Sequence, residues 1–187
     1  KFNETDFLKE VYEVSFRKDI NMIVLDEMNL ARIEYYFAEF LSIMEIPDPD
    51  EWLIDLVPTS LENDPINLRN GKLLIPQNVW FIGTANKDDS TFTITDKVYD
   101  RATPIEINTK SSYIDAPDTD GVVMSYDYLS DLFRLASKEH PLSIKAIENL
   151  EKLDNYITKS LKVTFGNRIM KQIRAFVPVY VACGNSE

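Results

Sequence analysis

Residues 22–25, Met-Ile-Val-Leu, form an apolar run that ends abruptly in two adjacent carboxylates, Asp26 and Glu27. The run is too short and too rich in β-branched side chains for a helix, and it predicts a strand. A strand that is apolar on both faces belongs inside a sheet, parallel and covered by helices. Ligands of open α/β sheets bind beyond the carboxyl ends of the strands, where Asp26 and Glu27 fall. Such a pair suits a Mg²⁺-nucleotide site, one carboxylate helping to hold the hydrated cation and its neighbour polarising the attacking water. The same two residues would also serve as a solvated turn that caps the next helix.

Residues 79–82, Val-Trp-Phe-Ile, are a second continuous apolar run, expected as another central strand, and they lead into Gly83-Thr-Ala-Asn86. A short amide just past a strand can hydrogen-bond the attacking water or a γ-phosphate oxygen without adding charge, which makes Asn86 a candidate. The run from Leu25 through Asp26, Glu27, Asn29 and Arg32 to Leu41, taken with the block from Asn78 to Ser90, resembles the Walker B and sensor 1 regions of AAA+ nucleotide hydrolases. The likeness is to the McrB-type branch, which contains the motor subunits of modification-dependent, 5-methylcytosine-specific restriction systems.

The resemblance implies an α/β fold, an incomplete AAA+ parallel-sheet core followed by a small α-helical lid. In that scheme residues 1–110 are the partial core, with a hairpin before sensor 1 at about 46–76, and residues 111–187 are the partial lid. The strand that carries the phosphate loop is missing from it. Asp26 would bind Mg²⁺ through water, Glu27 would polarise the attacking water and Asn86 would orient it. Arg101 matches the arginine that reaches into a neighbouring subunit, although Asp100 stands where a second basic residue is common. Arg168, in Phe165-Gly-Asn-Arg-Ile169, matches the sensor 2 arginine that contacts nucleotide from the lid. The implied cofactors are Mg²⁺ and ATP or GTP in a full-length parent, with none tightly bound here. The implied partners are further copies in a ring, a nuclease or effector subunit, and nucleic acid reached through the parent.

With 187 residues and 44% apolar content, the chain can bury one core or a core plus a satellite. Its net charge of −11 argues against a broad phosphate-gripping surface. A single cysteine, Cys183, excludes an internal disulfide, agrees with a reducing cytoplasm, and is expected as a small buried hydrophobe. No apolar run approaches the roughly 20 residues of a membrane-spanning helix, and no membrane partner is expected. His140 precedes Pro141 and is read as a loop residue rather than a metal ligand. None of the five glycines fits the phosphate-binding pattern G-x-x-x-x-G-K-[ST]. The chain begins at Lys1, so the expectation is the later part of a longer protein, inactive by itself.

Taken in order, residues 3–18 carry Phe7, Leu8, Val11 and Val14 or Ser15 on one helical face, with Asn3 or Thr5 as N-cap. Residues 30–45 predict one helix whose stripe of Ile33, Tyr36, Phe37, Phe40, Leu41 and Met44 packs on the sheet. Asn70-Gly71 is the strongest hairpin-turn signal. A helix is expected over 96–101, a final strand over 102–108 and a polar linker over 111–121. Helical stripes follow, with Ser143 as an N-cap and Pro178 predicting a bend or stop. Two rival functions stand beside the motor reading: a degenerate AAA+ scaffold that assembles without nucleotide, and a MoxR-like chaperone ATPase.

Overall fold

The computed structural model describes residues 4–58 and 64–187, with Arg168 described by its backbone alone. The chain is mixed α/β and divides into two units, Lys1–Tyr126 and Asp127–Glu187.

In the first unit α1 (Asp6–Val14) starts at Thr5, whose hydroxyl accepts the Leu8 N–H at 3.2 Å. Asn3, the other expected cap, lies outside the described residues. Strand β1 (Asn21–Leu25) pairs in parallel with β5 (Val79–Gly83), in a register that sets Asn21 beside Val79 and Leu25 beside Gly83. Asn78 fixes the start of this pair: its carbonyl accepts the Asn21 N–H, and its side chain donates to the Arg17 and Asp19 carbonyls. Both apolar runs are therefore strands, and they are neighbours.

They are not enclosed on both faces, as continuous apolar character predicts. Ile23, Leu25 and Phe81 turn toward the core, whereas Met22 and Val24 are 58% and 57% exposed, and Trp80 and Ile82 37% and 42%. Among the described residues the parallel sheet has two strands, so neither β1 nor β5 is central.

Among the described residues the crossover from β1 to β5 contains two short α-helices, two 3₁₀ turns and a separate small sheet. The helix expected over 30–45 is broken into a 3₁₀ turn (Met28–Leu30), α2 (Ile33–Tyr36) and α3 (Ala38–Ile43). The break is at Phe37, whose φ of −117° and ψ of 2° leave helical geometry. The apolar stripe survives it: Phe37 stacks on Phe40 at 5.1 Å, and both rings meet Phe7 and Phe81 edge-on. Such ring pairs each contribute about 0.5–1.5 kcal/mol beyond their buried area. Val11, Val14, Ile33, Leu41, Ile54, Leu73, Ile75, Val79 and Val98 complete the core.

Strands β2 (Leu53–Asp55), β3 (Leu68–Arg69) and β4 (Lys72–Leu74) form the second sheet, antiparallel, in the order β2-β4-β3. Asn70 and Gly71 turn β3 into β4, both with positive φ (52° and 77°), as a two-residue type I′ connection requires. The short α4 (Asp96–Tyr99) buries Val98. The strand expected over 102–108 is not formed. Ile105 and Ile107 are 83% and 84% exposed, because among the described residues no strand lies alongside to accept their backbone. Residues 111–124 carry no regular structure.

The second unit is helical: α5 (Tyr126–Glu139, its first residue belonging to the first unit), α6 (Ile144–Leu161) and α7 (Asn167–Ala182). Ser143 caps α6 by accepting the Ala146 N–H. Asp154 holds the turn into α7 by accepting from the Phe165 N–H at 2.6 Å and the Thr164 hydroxyl at 3.1 Å. Pro178 does not stop α7, which runs on to Ala182 with the proline ring buried. Cys183, just beyond the last turn, is exposed rather than the buried hydrophobe expected. No described helix is long and apolar enough to cross a membrane.

Candidate functional site

Past the paired ends Leu25 and Gly83, the two chains stay joined. The Thr84 N–H donates to the Leu25 carbonyl at 3.0 Å, and the Met28 N–H donates to the Thr84 carbonyl at 2.8 Å. The Met28 side chain packs over Gly83, where a Cβ would lie 1.9 Å from Met28 Sδ. Asp26 and Glu27 are thus held on a short turn directly against residues 84–86.

Thr84 organises that turn. Its hydroxyl donates to Asp26 Oδ1 at 2.6 Å and accepts the Glu27 backbone N–H at 2.8 Å. One carboxylate is oriented and the backbone of the next is fixed through a single oxygen. Glu27 itself sits in the left-handed region (φ 48°, ψ 44°), which costs an ordinary L-residue roughly 1–2 kcal/mol. The two carboxylates are exposed, so their approach to a ligand is open.

Asn29 ties the turn to the loop after β5. Its Nδ2 donates to the Asn86 carbonyl at 2.8 Å and to the Phe92 carbonyl at 3.2 Å, and its own carbonyl accepts the Phe92 N–H. The Thr91 hydroxyl also donates to the Asn86 carbonyl, at 2.8 Å. Within the loop Asp88 accepts from the Ser90 hydroxyl and N–H, which holds its carboxyl below the usual aspartate value. Lys87 donates to Glu106 at 2.9 Å, an exposed pair that raises the lysine and lowers the glutamate. The Arg32 guanidinium lies over the Phe92 ring at 5.5 Å and the Tyr35 ring at 5.7 Å. Tyr36 donates to the Met28 carbonyl at 2.7 Å, and burial pushes its phenol above the ordinary tyrosine value.

The candidates read from sequence are therefore distributed as follows. Asp26 and Glu27 share one turn, and the backbone of Asn86 is bonded to the same turn through Asn29. Arg101 lines a 1220 Å³ cavity together with Asn86 and Asn29, and its Nε donates to Glu45 at 2.8 Å. That partner is neither of the two aspartates, Asp96 and Asp100, that adjacency suggests. Arg168 lies in the first turn of α7, in the second unit. Thr84 and Asn29 lie within the same two sequence blocks, and the hydroxyl just past a strand that neighbours the carboxylate strand is the signal for Thr84.

Among the described residues no group of three or more His, Cys, Asp or Glu side chains could hold a metal ion. A carboxylate fixed by one hydroxyl nonetheless fits outer-sphere Mg²⁺, which keeps several waters and takes only one or two carboxylates besides substrate phosphates. Comparison of the chain with protein-family models, with curated proteins and with solved structures found no match.

Proposed function

We propose that the ends of β1 and β5 are the hydrolytic half of a nucleoside triphosphatase site, in a ring-forming AAA+ motor of the McrB type. The observation that supports this most is the Asp26–Thr84–Glu27 arrangement, in which one hydroxyl orients the Asp26 carboxylate and fixes the Glu27 backbone at the carboxyl ends of adjacent parallel strands. That is the edge at which α/β sheets bind ligands. Mg²⁺, bound with ATP or GTP, supplies charge neutralisation at the transferring phosphoryl group.

Asp26 would hold the cation's water shell through the oxygen that Thr84 leaves open. Glu27 would accept a hydrogen bond from the attacking water and take its proton as the water oxygen bonds to the γ-phosphorus and the bond to the departing nucleoside diphosphate breaks. Asn86 fixes that water by a neutral hydrogen bond, which lowers the entropic part of the barrier. Arg101 would serve a neighbouring copy's site once it leaves Glu45. A phosphate cradle of the G-x-x-x-x-G-K-[ST] type is not within the 187 residues, so the triphosphatase reading requires one supplied by other residues. The same fact favours, as the second reading, a scaffold that assembles without nucleotide.

The test is Glu27→Gln in the full-length protein, with binding and turnover measured separately. Retained nucleotide binding with phosphate release reduced at least about 10³-fold is expected from loss of the water-polarising group. Unchanged turnover removes Glu27 from the mechanism, and no nucleotide binding by the wild type leaves the scaffold reading.

A further inference from the structure

The Asn29 carboxamide is placed like a functional part, yet the proposed chemistry gives it no task. The residue is 3% exposed, and its Nδ2 donates to two carbonyls of the same loop, Asn86 at one end and Phe92 at the other. Its Oδ1 is buried with no hydrogen-bond partner among the described residues. An apolar side chain of similar size would fill this space without burying an unpaired oxygen. Packing alone therefore does not account for an asparagine here; its two N–H donors do. Those donors reach across 57 and 63 residues of sequence, from the turn that carries Asp26 and Glu27 to the loop that begins at Asn86.

We propose that Asn29 is a positioning residue for the hydrolytic site: its carboxamide clamps the loop of residues 86–92 onto the carboxylate turn and thereby sets where the Asn86 side chain stands. The inference rests on the triphosphatase reading above. Among the described residues Asn86 is held through its backbone carbonyl, which accepts from Asn29 and from Thr91, and its side-chain amide has no partner there and is exposed to meet a water. Asn29 touches no reacting atom. It acts through Asn86, and it makes the spacing between the water-orienting amide and the two carboxylates a fixed property of the fold.

The test is a double-mutant cycle on nucleotide hydrolysis by the full-length protein. Asn29→Leu keeps bulk and removes the donors; Asn29→Asp keeps shape and sets a carboxylate against the two carbonyls. Each is expected to lower kcat by about tenfold to a hundredfold, the cost of a small misplacement, with KM within about threefold. In an Asn86→Ala background the same substitutions are expected to change kcat by less than about twofold, because the group they position is gone. If Asn29→Leu does not fold, Asn29→Asp carries the cycle alone. Losses that multiply in the double variant, or an unaffected kcat in either single variant, overturn the proposal while the triphosphatase reading stands. A wild type that does not hydrolyse nucleotide overturns that reading, and this proposal with it.

Discussion

Thr84 Oγ1 lies 2.6 Å from Asp26 Oδ1, across the ends of two strands whose residues are 58 positions apart in sequence. The same oxygen accepts the Glu27 N–H. Thr84→Val keeps the shape and removes both bonds. We expect a loss of about 1 kcal/mol in urea unfolding, a typical net value for an accessible hydrogen-bonded group, and recovery in Thr84→Ser. A fully stable Thr84→Val protein would mean that the hydroxyl does not hold the turn.

Glu27 occupies left-handed backbone, at φ 48°. Glycine adopts that conformation without the steric cost but adds freedom to the unfolded chain. Glu27→Gly should therefore be neutral or stabilising by up to about 1 kcal/mol in denaturant melts. Destabilisation beyond that range would place the side chain in a structural contact rather than in an exposed site.

Gly71 stands at φ 77°, and a Cβ there would lie 2.1 Å from the Val57 carbonyl oxygen. That oxygen belongs to backbone, and the Leu56 and Val57 N–H groups both donate to Gly71 O, so little can move aside. Gly71→Ala should cost about 1–3 kcal/mol, read as a fall in unfolding midpoint with unchanged denaturant slope.

The pH response of the loop after β5 follows from two carboxyls. Asp88 is held low by the Ser90 hydroxyl and N–H, and Glu106 by its bond from Lys87. A folded value below the unfolded one gives stability that is present above the ordinary carboxylate range. It is lost as pH falls through the folded value. Carboxyl-carbon NMR titrations of both residues should show midpoints below those of the unfolded chain, and the Ser90 amide should exchange faster once Asp88 is protonated. Midpoints at or above the unfolded values would contradict the two contacts.

Local chemistry was legible in the sequence where neighbours decide it. The runs at 22–25 and 79–82 read as strands because β-branched and aromatic residues favour pleated backbone. They prove to be parallel neighbours, as their Asn21–Val79 register records. Asn70-Gly71 named its own turn because few residues accept two positive φ values in succession. Periodicity found the face that carries Phe37 and Phe40 but not the backbone break at Phe37, since a stripe reports which side is buried and not whether each turn is helical. The pattern around Ile105 and Ile107 is the same whether or not a strand lies beside it, so local text could not decide that pairing. Likewise nothing near Arg101 announces Glu45, which is 56 positions away. Within the candidate site the acidic pair and Asn86 stand out in the sequence as polar groups just past apolar runs, whereas the bonds of Thr84 and Asn29 exist only in the fold.

In the proposed site a cation-bound triphosphate faces the turn beyond Leu25. The most direct test replaces Mg²⁺ by paramagnetic Mn²⁺ in the nucleotide-bound full-length protein and follows the backbone amide signals. Asp26, Glu27 and residues 84–86 are expected to broaden first, at the lowest Mn²⁺ and only with nucleotide present. Broadening that begins elsewhere, or leaves those five residues sharp at nucleotide saturation, would contradict it.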